Sequence, residues 1–337
     1  MLVTRQKTLR RFWYALMPVH DLAAGPKPFT LLGENLVLFL DADGQPAALR
    51  DRCCHRTARL SRGWVENGQI VCGYHGWTYA RDGRLARIPQ QPGVALPSGA
   101  KVPAFHCQER YGYAWVALDD PLLPIPEFAE DADPAFRRIF QFYEQWQSSP
   151  LRLMENSFDN AHFSYVHRAN FGQFGQPRPS KYEIRPTDWG FEAETIVPVN
   201  NPPQAHRITG TTEPETVRHL FNRWYVPFVR RFGCNYPSGR KHIIYNCATP
   251  IDDGTMQVCQ WLYRNDREED CTTAELIAWD AGIVNEDREI LEATDYDACI
   301  DTRRRIEFHM ESDKPGVMMR QMLMKLFAEQ GEPEMHR

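Results

Sequence analysis

Long apolar runs are missing from this sequence: no stretch approaches 18 uncharged apolar residues, so no membrane span is expected. Charge of one sign is not in excess either. Its 39 basic and 44 acidic side chains leave a net −5, which gives no long-range pull toward DNA, RNA or anionic lipid. The opening residues, MLVTRQKTLRRFWYALMPVHDL, lack the continuous apolar segment and small-residue cleavage site of an export signal. Cysteines are few, nine in all, odd in number and scattered, which argues against a secreted disulfide framework and for a reducing compartment, so a cytoplasmic location is expected. Internal repeats, low-complexity tracts and a G-x-G-x-x-G dinucleotide fingerprint are absent as well. What is present, 337 residues with 42% hydrophobic and 25% charged, suffices for two ordinary cores and small-molecule or protein partners.

From FTLLGENLVLFLDADGQPAALRD onward, short apolar runs punctuated by Gly, Asn and Asp read as antiparallel strands, with DADGQ as a hairpin turn. Residues 12–118 are expected to form a small all-β domain after an N-terminal arm over residues 1–11, and the proline-spaced DDPLLPIPEF leads into a second domain over 119–337. There, SPLRLMENSFDNAHFSYVHRANFG predicts one helix over about 150–168, residues 181–263 predict a multistranded antiparallel sheet, and two helices follow. The fold class is α+β: an all-β domain, then a large antiparallel sheet flanked by helices.

CCHRTARLSRGWVENGQIVCGYHGW concentrates three cysteines and two histidines. Cys53 with His55, and Cys72 with His75, form two close pairs with room between them for a hairpin that returns the second loop beside the first. Two thiolates and two imidazoles suit either tetrahedral zinc or a two-iron, two-sulfide cluster with the cysteines on one iron and the histidines on the other. C-x-H followed by C-x2-H is unlike the usual zinc-finger order of two cysteines and then two histidines. These four residues, with HR and LSRG after Cys53 and YHGW after Cys72, resemble the Rieske domain of non-haem iron ring-hydroxylating oxygenases. The resemblance implies a [2Fe–2S] cluster held by Cys53, His55, Cys72 and His75. That family usually has proline where Cys54 stands, and often where Gly73 stands. Cys54 is read as a small buried thiol, and Cys107, Cys234, Cys247, Cys259, Cys271 and Cys299 as core fillers.

ENSFDNAHFSYVH adds Asn156, Asp159, His162 and His167. Asp159 and His162 are three apart and share a helix face, whereas His162 and His167 are five apart and diverge by roughly 140° on a straight helix. An acid in this aromatic-rich segment is costly unless paired with a donor such as an imidazole. Asn-x2-Asp-x2-His-x4-His resembles the mononuclear iron motif of the same oxygenases and follows the first cluster in the order those proteins use. The resemblance implies that His162 and His167 bind ferrous iron, that Asp159 links His162 to His75 of a neighbouring subunit in a homotrimer, and that Asn156 bonds close to the iron, although a capping role for that amide is also open. Two histidines leave a facial triad one carboxylate short. VNEDREILEATD contains Glu286, Asp287, Glu289 and Glu292; resemblance places the ligand at Asp287, with Glu286 as main competitor, and Glu286, Glu289 and Glu292 otherwise read as a solvated helix face.

By resemblance, the chain is the oxygenase component of an O2-dependent monooxygenase that hydroxylates or oxidatively demethylates an aromatic or heteroaromatic small molecule. Electrons would come from a separate NAD(P)H-dependent reductase or ferredoxin. A cis-dihydroxylating dioxygenase and a non-catalytic electron carrier are the alternatives. Phe171, Phe174, Trp189, Phe191, Phe221, Trp224, Tyr225 and Phe228 can line a cavity for a planar substrate, with half or more of them expected in sheet core. His206, His219 and His242 are read as structural or surface residues.

Overall fold

A computed structural model describes residues 1–336. The chain divides into two compact units, one over Lys7–Ile125 and one that joins Met1–Gln6 to the chain from Pro126 onward. The plan is α+β, as the order of strand and helix patterns implies.

The first unit is all β. Its strands β1 (Tyr14–Pro18), β2 (Lys27–Leu31), β3 (Glu34–Leu40) and β4 (Pro46–Arg50) join β9 (Ala104–Arg110) and β10 (Tyr113–Ala117) in one sheet, ordered β1-β10-β9-β4-β3-β2. A smaller sheet holds β5 (Trp64–Glu66), β6 (Gln69–Val71), β7 (Thr78–Tyr79) and β8 (Leu85–Arg87). The DADGQ turn forms as expected: Asp41 Oδ1 accepts from the backbone N–H groups of Asp43 and Gln45 at 3.0 and 2.9 Å, closing β3 onto β4. One core in this unit packs Val37, Phe39, Leu49 and Leu60 around Cys53, Cys72 and Tyr79.

In the second unit a short helix α1 (Ala129–Ala132) precedes β11 (Arg137–Trp146), and α2 (Pro150–Ser157) and α3 (Phe163–Val166) follow. Next come β12 (Glu183–Thr187), β13 (Gly190–Asn200), α4 (His206–Thr209), β14 (Glu215–Tyr225), β15 (Val229–Asn235), β16 (Lys241–Pro250) and β17 (Met256–Arg264). The sheet is fully antiparallel, in the order β11-β17-β16-β15-β14-β13-β12. Helix α5 (Thr273–Leu291) starts at a capping box in which Thr272 and Glu275 satisfy each other's backbone N–H groups, and α6 (Lys314–Glu329) closes the unit. The first residues belong here too, since Thr4 N–H and Oγ1 both donate to the Asp253 carboxylate at 2.9 Å.

One expectation fails. The single helix over 150–168 is two short helices with a break between Phe158 and His162. Asp159 Oδ1 captures the backbone N–H of Ala161 at 2.7 Å, a local bond that competes with the helical ladder. After α3 the chain turns back so tightly that a Cβ at Gly172 would lie 2.0 Å from the Phe163 carbonyl oxygen, which only glycine tolerates.

Arg320 of α6, buried to 2% exposure, fastens this broken segment from behind. Its Nη2 donates to Glu155 at 2.9 Å and to Glu307 at 2.6 Å, its Nη1 donates to the Cys299 carbonyl at 2.7 Å, and Arg152 reaches Glu307 from α2 at 2.5 Å. Burial alone would raise the Glu307 carboxyl, but Arg152 and Arg320 override it and hold it at about 2 against a usual 4.5. Because the folded value lies below the unfolded one, the stabilisation is complete above about 4.5 and disappears as pH falls toward 2. Arg320→Met, which takes the buried guanidinium from two carboxylates and leaves Arg152 alone to serve both, is expected to cost about 3 kcal/mol in urea unfolding at neutral pH. Glu307→Gln is expected to lower stability at pH 7, with the gap to the parent protein closing as pH drops through that window.

Candidate active site and metal centres

The loops around Cys53 and Cys72 have the same backbone form. The Cys53 N–H donates to the Ala58 carbonyl at 2.8 Å and accepts, through its own carbonyl, from Thr57 N–H at 3.0 Å; Cys72 repeats both bonds with Trp77 and Gly76 at 2.8 and 2.9 Å. Thr57 and Gly76, equivalent in the two turns, both have positive φ, +59° and +69°. The chain leaving the first turn passes so close to the chain entering the second that a Cβ on Gly63 would fall 1.8 Å from the Val71 carbonyl oxygen. Each six-residue turn buries its cysteine and leaves its histidine half-exposed, so two thiols face inward and two imidazoles outward. The His55 and His75 ring centroids are 4.6 Å apart, and His55 stacks on Trp77 at 4.4 Å. His55 Nδ1 is buried without a hydrogen-bond partner, a state that a polar nitrogen keeps only where something else completes it.

Cys54 is exposed, contrary to the expectation of a buried thiol, because the inward direction belongs to Cys53 and successive side chains diverge. It curls back to Tyr79, whose hydroxyl lies 3.3 Å from Cys54 Sγ and 3.0 Å from Cys53 Sγ. Burial raises the Tyr79 phenol far above its usual range, so it stays protonated.

In the second unit the two imidazoles converge from the two ends of one helical turn, because their side chains are long and His167 has already left helical geometry (φ −95°, ψ 22°). His162 opens α3 and His167 closes it, and their Nε2 atoms come within 3.2 Å of each other. Asp287 Oδ1 from α5 lies 3.4 Å from His162 Nε2 and 3.3 Å from His167 Nε2. Among the described residues, these three form the group of side chains whose atoms converge as metal ligands do. A near-equilateral triangle of this edge suits one first-row ion about 2.1 Å from each atom, with the opposite face open. Burial would lower the His162 imidazole, yet its bonds to Asp159 and Asp287 hold it up at about 9. Burial would raise Asp287, but both imidazoles pull it far below the carboxylate range.

The other imidazole nitrogens are used as well. Asp159 Oδ2 sits 3.3 Å from His162 Nδ1, and Glu286 Oε2 sits 2.8 Å from His167 Nδ1. Glu286, which also accepts from Asn170 at 2.9 Å, is therefore not on a solvated face as sequence reasoning held. Glu289 is exposed, and Glu292 accepts from Gln147 N–H and Arg288. Asn156 Nδ2 lies 3.3 Å from Asp287 Oδ1.

Beside the triangle opens a cavity that, with its mouth, encloses about 790 Å³. Of the eight aromatics proposed from sequence, Phe171 alone lines it; the others of its aromatic wall are Trp146, Phe163, Phe232, Tyr236 and Trp279. Phe191, Trp224, Tyr225 and Phe228 are core, and Phe174 is exposed. His206 and His219 bond Asn201 and Glu194, as structural residues do. His242 differs. It is buried in the cavity wall, where Arg264 Nη1 donates to its Nδ1 at 3.2 Å, which leaves Nε2–H to donate to Asp280 at 3.1 Å. Gln141 donates to the same Asp280 oxygen, and Gln260 donates to Gln141 at 2.6 Å. Sequence reasoning missed this network; its signal is a row of polar residues, His242, Asn246, Gln260 and Arg264, at inward positions of otherwise apolar strands. Asp280→Leu, which orphans the His242 and Gln141 donors, is expected to cost about 3 kcal/mol. A thermal melt should show a drop of several degrees, whereas an unchanged melting temperature would mean the network is dispensable.

Comparison with known proteins agrees with this layout. The family model described as the Rieske [2Fe-2S] domain matches residues 12–105, and that of the vanillate O-demethylase oxygenase C-terminal domain matches residues 146–329. The chain is 29% identical over 333 residues to methylxanthine N1-demethylase NdmA of Pseudomonas putida, covering 94% of this chain and 89% of that one. It is 28% identical over 324 residues to the oxygenase component of dicamba O-demethylase from Stenotrophomonas maltophilia, covering 92% and 93%. The solved structure of Pseudomonas putida CBB5 NdmA superposes with a TM-score of 0.83 at 26% identity, covering 98% of this chain and 94% of that one. No helix among the described residues is long and apolar enough to cross a membrane. The chain belongs to the Rieske oxygenases that carry the vanillate O-demethylase type of C-terminal domain, oxidoreductases that use a [2Fe–2S] Rieske cluster and a mononuclear iron.

Proposed function

We propose that the chain is a monooxygenase component that hydroxylates, or oxidatively demethylates, an aromatic or heteroaromatic small molecule in the cavity beside His162, His167 and Asp287. The observation that carries this reading is the ligand triangle opening onto a partly apolar cavity of ligand size. Its relatives are named as N- and O-demethylases. When bound, the Rieske cluster and the ferrous ion supply one-electron delivery and oxygen activation. In the net reaction one atom of O2 enters a C–H bond of the substrate, the other leaves as water, and an external reductase or ferredoxin supplies two electrons with two protons. For an attached methyl, the hydroxymethyl product then loses formaldehyde.

Cys53, Cys72, His55 and His75 are assigned to the cluster, and the orphaned His55 Nδ1 and the matched turns support that assignment. His162, His167 and Asp287 are assigned to the iron. Asp159 and Glu286 act from behind, orienting the two imidazoles so that Nε2 points forward. Asn156 steadies the Asp287 oxygen. A thiolate can only accept, so the Tyr79 hydroxyl donates to Cys53 Sγ and is left to accept from the Cys54 thiol.

The proposed assembly is a cytoplasmic homotrimer in which Asp159 bridges His162 to His75 of the next subunit. The support is local: the Asp159 carboxylate is 29% exposed and shares a surface cavity with two exposed apolar side chains, Ile290 and Phe308, that a partner chain can cover.

Turnover with a reductase, 18O2 and a panel of aromatic acids, methoxyarenes and N-methyl heterocycles, read by mass spectrometry, tests the activity. One labelled oxygen in the product is expected, and two would indicate dihydroxylation. Asp159→Ala is expected to keep both metal centres populated and to abolish substrate-dependent oxidation of the reduced cluster; normal oxidation would rule out the bridge. Tyr79→Phe removes a hydrogen bond to a cluster thiolate and should lower the cluster potential by roughly 40 mV if that bond favours the reduced state by ~1 kcal/mol, which a redox titration followed by electron paramagnetic resonance measures.

A further inference from the structure

Arg218, on β14, faces the substrate cavity and is 6% exposed. Its Nε is buried without a partner, and among the described residues the guanidinium makes no hydrogen bond or ion pair. It stacks on Phe171, with Cζ 3.9 Å from the centre of the ring. Arginine cannot shed its proton, so a guanidinium in this position is a buried charge without a counter-charge, an arrangement that costs several kcal/mol unless an anion completes it. The carboxylates of the cavity wall do not supply one. Asp280 is engaged by His242 and Gln141, and Asp287 faces the two histidines.

Position ties the charge to the reacting centre. Phe171 stacks against His167 with centroids 4.8 Å apart, so Arg218 Cζ lies no more than about 9 Å from the His167 ring. That range is within reach of one aromatic ring lying in the cavity alongside Phe171, with a carboxylate at the guanidinium and the oxidised group at the open face of the triangle.

We propose that Arg218 is the specificity-determining anion anchor of this oxygenase, and that its substrate is an aromatic compound bearing a carboxylate or sulfonate, held by Arg218 so that the opposite substituent faces His162, His167 and Asp287. This deepens the monooxygenase reading and rests on it. Asn246 and Gln260 on the wall are neutral, and Arg230, its second guanidinium, donates to Asn246 Oδ1 at 3.4 Å, which leaves Arg218 as the guanidinium of the wall with no polar partner among the described residues.

The test uses the full-length holoenzyme, reduced and anaerobic, with 4-methoxybenzoate, 4-methoxybenzenesulfonate and the neutral isostere 4-methoxybenzamide, binding being read by quenching of the cavity tryptophans. The parent protein should bind at least one of the two anions about tenfold or more tighter than the amide, and which one separates carboxylate from sulfonate recognition. Arg218→Met should weaken the anion about 10- to 100-fold, the range of a charge-assisted hydrogen bond, and change amide binding by less than about threefold. Arg218→Lys should restore part of the preference. Equal binding of acids and amide by the parent protein overturns the proposal, as does an equal loss for both in Arg218→Met with the Rieske signal intact; the parent comparison stands even if a variant misfolds. Aerobic turnover separates the two readings. Oxygen insertion into neutral ethers without anion preference keeps the monooxygenase and removes the anchor, while anion-selective binding without product keeps the anchor and removes the monooxygenase.

Discussion

The catalytic unit depends on one carboxylate, Asp159, which interrupts a helix and holds an imidazole. The break lies before His162, so it sets where the α3 turn stands against α5, while His162 and His167 converge because their side chains are long and His167 has left helical geometry. Asp159 ends the ladder by taking the Ala161 N–H, and the chain then closes over the α3 turn at Gly172, where no side chain fits. The same carboxylate that breaks the helix presents its second oxygen to His162 Nδ1. A single residue thus sets the path of the backbone and the direction of an imidazole. Replacing it leaves the three converging side chains, His162, His167 and Asp287, in the chain, so iron occupancy read beside electron transfer isolates the bridge.

The Rieske unit solves its geometric problem by repetition. Two turns of identical hydrogen-bond pattern, brought together by glycine at positions 63 and 73, place a buried thiol and a half-exposed imidazole side by side twice. Burial of the sulfur side and exposure of the histidine side give the unit a polarity that suits electron exit through the imidazoles. Cys54 belongs to this picture less as a missing proline than as the outer member of a short chain, from its own sulfur through the Tyr79 hydroxyl to the sulfur of Cys53.

Features local in sequence were legible. Both cysteine–histidine pairs lie within a few residues, the strands alternate or run apolar between turns, and the α5 capping box is spelled out by Thr272 and Glu275. Features that depend on register were not. Asp287 and Glu286 are neighbours about 100° apart on α5, and which one faces the histidines is decided by how that helix lies on the sheet; only resemblance to a known family pointed to Asp287. The cavity aromatics failed for the same reason. On β14 and β15, residues 218, 220, 222 and 224 share a face with 230, 232, 234 and 236, so Phe221 and Tyr225 point away while Phe232 and Tyr236 line the site. The helix over 150–168 was misread because an Asp side chain bonding its own neighbour has no signature in periodicity.

The polar network of the cavity then acquires a structural role of its own. Asp280 and Asp287 are two turns apart on one face of α5, about 10.5 Å along its axis. Asp280 is tied to β16 through His242 and to β11 through Gln141, and Glu286, beside Asp287, is tied to His167. The helix is therefore fixed to the sheet at one end of this stretch and to the α3 segment at the other. Its carboxylate can slide or rotate only by breaking buried bonds, each worth about 1–3 kcal/mol to a group left unpaired. The wall of the cavity and the depth of the Asp287 oxygen are consequently set by the same few contacts, and a substitution made to reshape the pocket at Asp280 or His242 reaches the ligand triangle through the helix that joins them.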